Sequence, residues 1–255
     1  MPNQFYGAGL PGVHPDNMIG TLIVLEGADG SGRSTQIHLL RDWLEGRGHA
    51  VTEVGLRRST LVARELSVAK EGHILGRTTM SLFYATDFAD QLEHVMIPSL
   101  HAGNVVLADR YIYTLMARDT ARGANPAWVE KLYGMALVPD AVFYLRVNPR
   151  ILVERNLEKN GMLDYWESGM DIGLAPDMFD SFVKYQGLMQ QEFKRLQERY
   201  GFETVNGNRS VRAVATDLRA RLEQILGNRL GAGSHTFETT VPSNGASAEV
   251  GSRGS

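Results

Sequence analysis

Apolar positions along the chain fall into two periods that take turns. Short runs rich in β-branched residues, too brief for helices, sit at 21–26 (TLIVLE), 50–54 (AVTEV), 104–109 (NVVLAD), 141–147 (AVFYLRV) and 202–206 (FETVN). Each reads as a strand. Between them the spacing changes to that of a helix. Ile37, Leu40, Trp43 and Leu44 share one side of a segment that stops at Gly46 and Gly48. Leu82, Ala85, Ala89, Leu92, Val95 and Met96 line one side of a long helix over 79–100. Two helices fill 113–138, and further helices are expected at 149–159, 176–200 and 210–226. Strands alternating with helices imply a parallel sheet with right-handed crossovers and helices on both faces, an α/β fold. Ligands in such sheets bind beyond the carboxyl ends of the strands.

Composition narrows the classes. With 255 residues, 43% hydrophobic, the chain suits one sizeable core. The formal charge of −3 gives no sign of a nucleic-acid surface. The absence of cysteine excludes disulfides and thiolate chemistry. The seven histidines are scattered, and His94 and His101 read as solvated surface residues. No apolar run approaches ~18 residues, so no membrane span is expected. Residues 1–18 lack Lys, Arg and a continuous apolar stretch, unlike a secretory signal, so a cytoplasmic location is the expectation. The same residues are rich in Gly, Pro and Asn and are expected to be a flexible segment outside the fold. Residues 230–255, rich in Gly, Ser and Thr, are expected to form a disordered tail. That leaves one domain over 19–229.

The chemistry begins after the first strand. Gly27-Ala28-Asp29-Gly30-Ser31-Gly32-Arg33-Ser34-Thr35 matches a phosphate-binding loop except at one position, where Arg33 stands in the lysine slot. Glycines let backbone N–H groups converge on phosphates, and the following helix N-terminus adds partial positive charge. Ser34 offers a hydroxyl for Mg²⁺. Arg33 keeps a full charge and five donors, so it is expected to act as a working cation. After the third strand, Asp109 and Arg110 pair a carboxylate suited to a metal with a guanidinium suited to a phosphate.

LEGADGSGRSTQ (25–36), ADRYIYT (108–114) and GMALVPDAVFYLRVNP (134–149) together resemble the thymidylate kinase family over roughly residues 20–226. The resemblance implies a P-loop kinase fold with a five-stranded parallel sheet and a small lid, here about 160–176. It implies transfer of the γ-phosphoryl group of ATP to dTMP with Mg²⁺, by a homodimer. Asp29 would contact the acceptor sugar, Arg110 the acceptor phosphate, and Asp109 would lie near Mg²⁺. Arg57 or Arg58 would supply a second phosphate cation, and Tyr84 would stack on the base.

Several positions depart from the family pattern. Phe88 replaces an arginine that reads the base, and Arg118 and Asp119 replace a Tyr-Gln pair that holds the nucleoside. In the lid, Tyr165 replaces an arginine that reaches the transferring group. Arg33 and Arg155 are then the candidates for its charge. Glu167 is expected to help hold Mg²⁺, and Met162 and Trp166 to anchor the lid. Three readings stay open: a dTMP kinase, a kinase of the same fold acting on another nucleotide or small phosphate acceptor, and a non-catalytic nucleotide-binding protein.

Overall fold

The computed structural model describes residues 4–72 and 75–232. Five strands, β1 (Thr21–Gly27), β2 (Val51–Gly55), β3 (Val105–Asp109), β4 (Ala141–Arg146) and β5 (Glu203–Asn206), form one sheet in the order β2-β3-β1-β4-β5. Every pairing is parallel, with Leu25 opposite Asp109 on one side and Phe143 on the other. The central strand β1 is buried along its whole length, as expected of a strand covered on both faces.

Nine α-helices are described: α1 (Arg33–Glu45), α2 (Ala63–Gly72), α3 (Arg77–Gln91), α4 (Ile97–His101), α5 (Ile112–Ala121), α6 (Pro126–Leu132), α7 (Pro149–Asn160), α8 (Met178–Tyr200) and α9 (Val211–Ala232). One face of the sheet carries α1 and α9, where Ile37, Leu40 and Leu44 meet Leu218 and Leu222 beneath Ile23 and Leu25. The other carries α3, α5 and α8, around Leu92, Ile112, Tyr185 and Phe193. This is the α/β fold that the alternating pattern implied, in the five-stranded parallel form that the resemblance implied.

One helical expectation is corrected and one helix is added. The helix predicted over 79–100 is interrupted: a π-helical turn at Leu92–Met96 separates α3 from α4. Pro98, which has no N–H to give, follows directly. Helix α2 leaves little trace in the apolar pattern because its stripe is thin, with Leu66 and Ala69 buried while Val68 is 59% exposed.

The described part of the N-terminal segment also belongs to the body, contrary to its composition. The Tyr6 and Gly7 N–H groups donate to the carbonyls of Ala136 and Gly134, and the Val138 N–H donates to Gln4. Tyr6 lies edge-on to Tyr200 and its hydroxyl hydrogen-bonds that of Tyr113 at 2.5 Å. Glycine-rich composition concealed two aromatic anchors, Phe5 and Tyr6, that find partners far along the chain. At the other end α9 runs to Ala232, and the rest of the tail lies outside the described residues.

Candidate active site

The loop after β1 enters α1 through Gly32, whose φ of 93° is left-handed. A Cβ there would meet nothing within 4 Å, so backbone conformation alone demands glycine. At Gly30 the constraint is steric as well: a Cβ would come within 2.7 Å of the Asn156 amide nitrogen. That amide donates to the Asp29 carbonyl at 2.9 Å and braces the loop from α7. No side chain caps the N-terminus of α1. Its first-turn N–H groups are therefore available to phosphate oxygens.

Arg33 is 7% exposed and closes this loop. Its Nε donates to Asp109 at 2.7 Å. One terminal nitrogen donates to the carbonyls of Gly27 and Ala28, and the other lies 3.6 Å from the Asp29 carboxylate. Burial opposes its charge, but Asp109 and Asp29 more than offset that and keep it protonated.

Arg110 leaves β3 with φ 71°, and Arg57 follows β2 with φ 60°. They are the only non-glycine residues with positive φ among those described. Such strain persists only where surroundings enforce it. Asp87 of α3 enforces it at Arg57, accepting from the N–H groups of Arg57 at 2.7 Å and Ser59 at 3.0 Å. Gln91, one turn on, brackets Gly55 through both its N–H and its carbonyl. At Arg110, the chain is held by Glu26, buried at the end of β1. Its carboxyl accepts from the N–H groups of Tyr111 and Thr114 at the start of α5. Burial pushes the Glu26 carboxyl up, opposed by these hydrogen bonds.

The two strained arginines line one polar cavity of about 160 Å³ with Asp29, Arg33, Arg58, Lys70, Tyr84, Asp109, Arg118 and Glu167. Six cationic side chains there face three carboxylates. Arg110 donates to Asp29 at 2.7 Å, but its Nε is buried without a partner. Burial and the neighbouring Arg33 weaken its hold on its proton. A guanidinium crowded by like charge at a cavity wall has the chemistry to pair with an anion. Burial pushes the Asp109 carboxyl up, yet Arg33 more than offsets it, so Asp109 stays ionised. Its second oxygen lies 3.4 Å from the Ser34 hydroxyl. This pair fits Mg²⁺, which takes few protein ligands and completes its shell with phosphate and water. Among the described residues no group of three acidic, His or Cys side chains could hold a metal by itself.

A larger cavity, about 430 Å³, opens on the far side of Tyr84 between α3, α5 and the lid. Tyr84 and Arg118 line both spaces. Asp119 lines the larger one with one carboxylate oxygen buried and unpartnered. Burial pushes its carboxyl up to about 6.

Other expected site residues make contacts different from those expected. Phe88 is 3% exposed and packs edge-on against Tyr111 and Tyr133 in the core, so it does not reach the site. Arg155 donates to the carbonyls of Gly30 and Gly207, which makes it a brace behind the loop. Glu167, expected at the metal, is ion-paired with Arg118 and lies 3.8 Å from Arg110, so it fixes guanidinium groups instead. Met162 is 68% exposed and anchors nothing, whereas the Trp166 indole donates to the Lys70 carbonyl at 3.0 Å. Arg122, not singled out from the sequence, ties the lid to α5 through Asp171 and the Trp166 carbonyl.

A sequence model of thymidylate kinase matches residues 25–218. The chain belongs to the thymidylate kinase family. A probable thymidylate kinase 2 of Saccharolobus solfataricus is 38% identical over 215 residues, covering 84% of this chain and all of that protein. A probable thymidylate kinase of Thermococcus kodakarensis is 31% identical, covering 80% of this chain and 98% of its own. A thymidylate kinase of Gloeobacter violaceus is 30% identical, covering 80% and 95% respectively. Membership makes the chain a nucleoside monophosphate kinase, a phosphotransferase. No described helix is long and apolar enough to cross a membrane.

Proposed function

We propose that this protein transfers the γ-phosphoryl group of Mg-ATP to dTMP, giving dTDP and ADP. The side chain of Arg110, which lines a cavity where six cationic side chains meet three carboxylates, carries the reading. The loop N–H groups and Arg33 hold the donor phosphates. Arg110 and Arg57 hold the acceptor phosphate, and Asp29 positions Arg110 beside the acceptor sugar. Asp109 and Ser34 would hold Mg²⁺, which would supply positive charge to the donor phosphates. No covalent intermediate on the enzyme is needed. The chain's part is to align two phosphates, stabilise charge on the group in flight and exclude water.

Tyr84 forms the wall between the phosphate cavity and the larger one, which takes the base. With Phe88 in the core and Arg118 tied to Glu167, base recognition falls to Asp119 and Tyr84. That rearrangement favours a second reading, a kinase of the same fold with another nucleotide acceptor. The protein is expected to work in the cytoplasm as a homodimer. Purified protein with Mg-ATP and a panel of nucleoside monophosphates separates the readings. Turnover led by dTMP supports the first, and turnover led by another nucleotide supports the second. ATP binding with no turnover of any acceptor would leave a non-catalytic nucleotide-binding protein.

A further inference from the structure

Phosphoryl transfer spreads negative charge over the equatorial oxygens of the group in flight, and a cation placed there accelerates it. The lid position that would provide one holds Tyr165, which is neutral. Most cations around the polar cavity are already committed. Arg33 is bound to Asp109, Arg110 to Asp29, Arg118 to Glu167, and Arg58 lies within 4 Å of both Glu53 and Asp109.

Lys70, near the end of α2, is ion-paired as well, but with a carboxylate of the lid and not of the sheet or the loop. It lines both cavities, so it stands at the junction between phosphate and base. Its side chain is 16% exposed, and its ammonium lies 3.5 Å from Asp164, a half-exposed carboxylate of the lid. Its backbone carbonyl accepts the Trp166 indole N–H. The lid therefore grips α2 at this residue through two separate contacts.

We infer that Lys70 is the catalytic cation that the lid lacks, contacting the phosphoryl group as it passes from ATP to the acceptor. This role rests on the kinase activity proposed for the same site. In the step, the bond from the γ-phosphorus to the ADP oxygen breaks. A bond from an acceptor phosphate oxygen to the same phosphorus forms, and Lys70 keeps its proton throughout. Its charge is costly before substrate arrives: burial lowers its pKa, and Arg118 lowers it further. The charged groups facing it are Arg57 beyond β2, Arg118 of α5, and Asp164 and Glu167 of the lid. A dianionic phosphoryl group supplies the counter-charge that these leave wanting.

The test is single-turnover transfer with saturating Mg-ATP and acceptor, in wild type, Lys70→Met, Lys70→Arg and Asp164→Asn. Lys70→Met is expected to slow transfer by about 10²-fold, the scale of one lost electrostatic stabiliser, with ATP affinity within about threefold of wild type. Lys70→Arg should recover most of the rate. Wild type is expected to lose rate at alkaline pH as Lys70 deprotonates, and Lys70→Arg should remove that fall, because arginine stays charged. Asp164→Asn, which loosens the lid contact alone, should slow transfer far less than Lys70→Met. A Lys70→Met rate within about threefold of wild type overturns the inference. So does an Asp164→Asn loss as large as that of Lys70→Met, since Lys70 would then act only as a lid tether. If Lys70→Met fails to fold, an unchanged alkaline limb in Lys70→Arg overturns it equally. Absence of turnover in wild type would overturn the kinase activity along with it, whereas with normal wild-type turnover the variants bear on Lys70 alone.

Discussion

Replacing Asp119 by Asn should stabilise the protein at neutral pH and not at acid pH. Asp119 lines the larger cavity with one oxygen buried and unpartnered, and burial raises its carboxyl from the ordinary 3.8 to about 6. The folded protein thus holds this proton more tightly than the unfolded chain. The sign follows: the stabilising contribution is complete below about pH 4. It is lost as pH climbs from about 4 to 6, where the unfolded carboxyl has ionised and the folded one resists. Above about pH 6 the penalty is constant. At roughly 1.4 kcal/mol per pH unit, the full shift corresponds to about 3 kcal/mol, and partial solvent access reduces it to about 2. Asparagine is isosteric and never ionises. For a domain of this size, about 2 kcal/mol corresponds to about 4–8 °C in Tm. The assay is a set of thermal melts of both proteins from about pH 4 to pH 8. The difference in Tm should rise through the acid range and level off above about pH 6, in favour of Asp119→Asn. A difference that does not change with pH would refute the burial argument.

Arg110→Ala should lower kcat/KM for the acceptor by about 10- to 150-fold while leaving ATP affinity nearly unchanged, because a charge-assisted contact worth about 1.5–3 kcal/mol is lost from the acceptor phosphate alone; calorimetry with ATP beside steady-state rates checks both halves. Asp87→Ala should let the chain at Arg57 relax from its positive φ and raise KM for the acceptor more than KM for ATP, measured in the same coupled assay. Phe88→Ala should cost about 3–5 kcal/mol of stability as a buried aromatic deletion, read from denaturant melts, and the cost should be the same with and without bound nucleotide.

The strands, the loop and the Asp109-Arg110 pair were legible because each is local: β-branched runs, glycine spacing and a motif at a strand end. What stayed hidden depends on pairings between distant residues. Asp87 carries no signal of its own in the sequence, yet it reaches across to hold the backbone after β2. Phe88 sits one residue on, and the turn of α3 carries it into the core beside Tyr111. Lys70 has no motif around it, and its place follows from how α2 meets the lid. Glu167 reads as a metal ligand until Arg118, 49 residues away, takes its charge. The N-terminal segment has a loop's composition, but Phe5 and Tyr6 find a groove beside α6 and α8 that no nearby residue announces.

The claim that the phosphate loop works with arginine in place of lysine is tested most directly by single-turnover transfer in wild type, Arg33→Ala and Arg33→Lys at saturating Mg-ATP. Arg33 joins the loop carbonyls to Asp109 and Asp29. Arg33→Ala should lower the rate by at least about 10²-fold. Arg33→Lys should keep nucleotide affinity but recover only part of the rate, since lysine cannot span the carboxylates and the loop carbonyls at once. Equal rates in wild type and Arg33→Ala would contradict the account and leave the loop a nucleotide-binding element without a role in transfer.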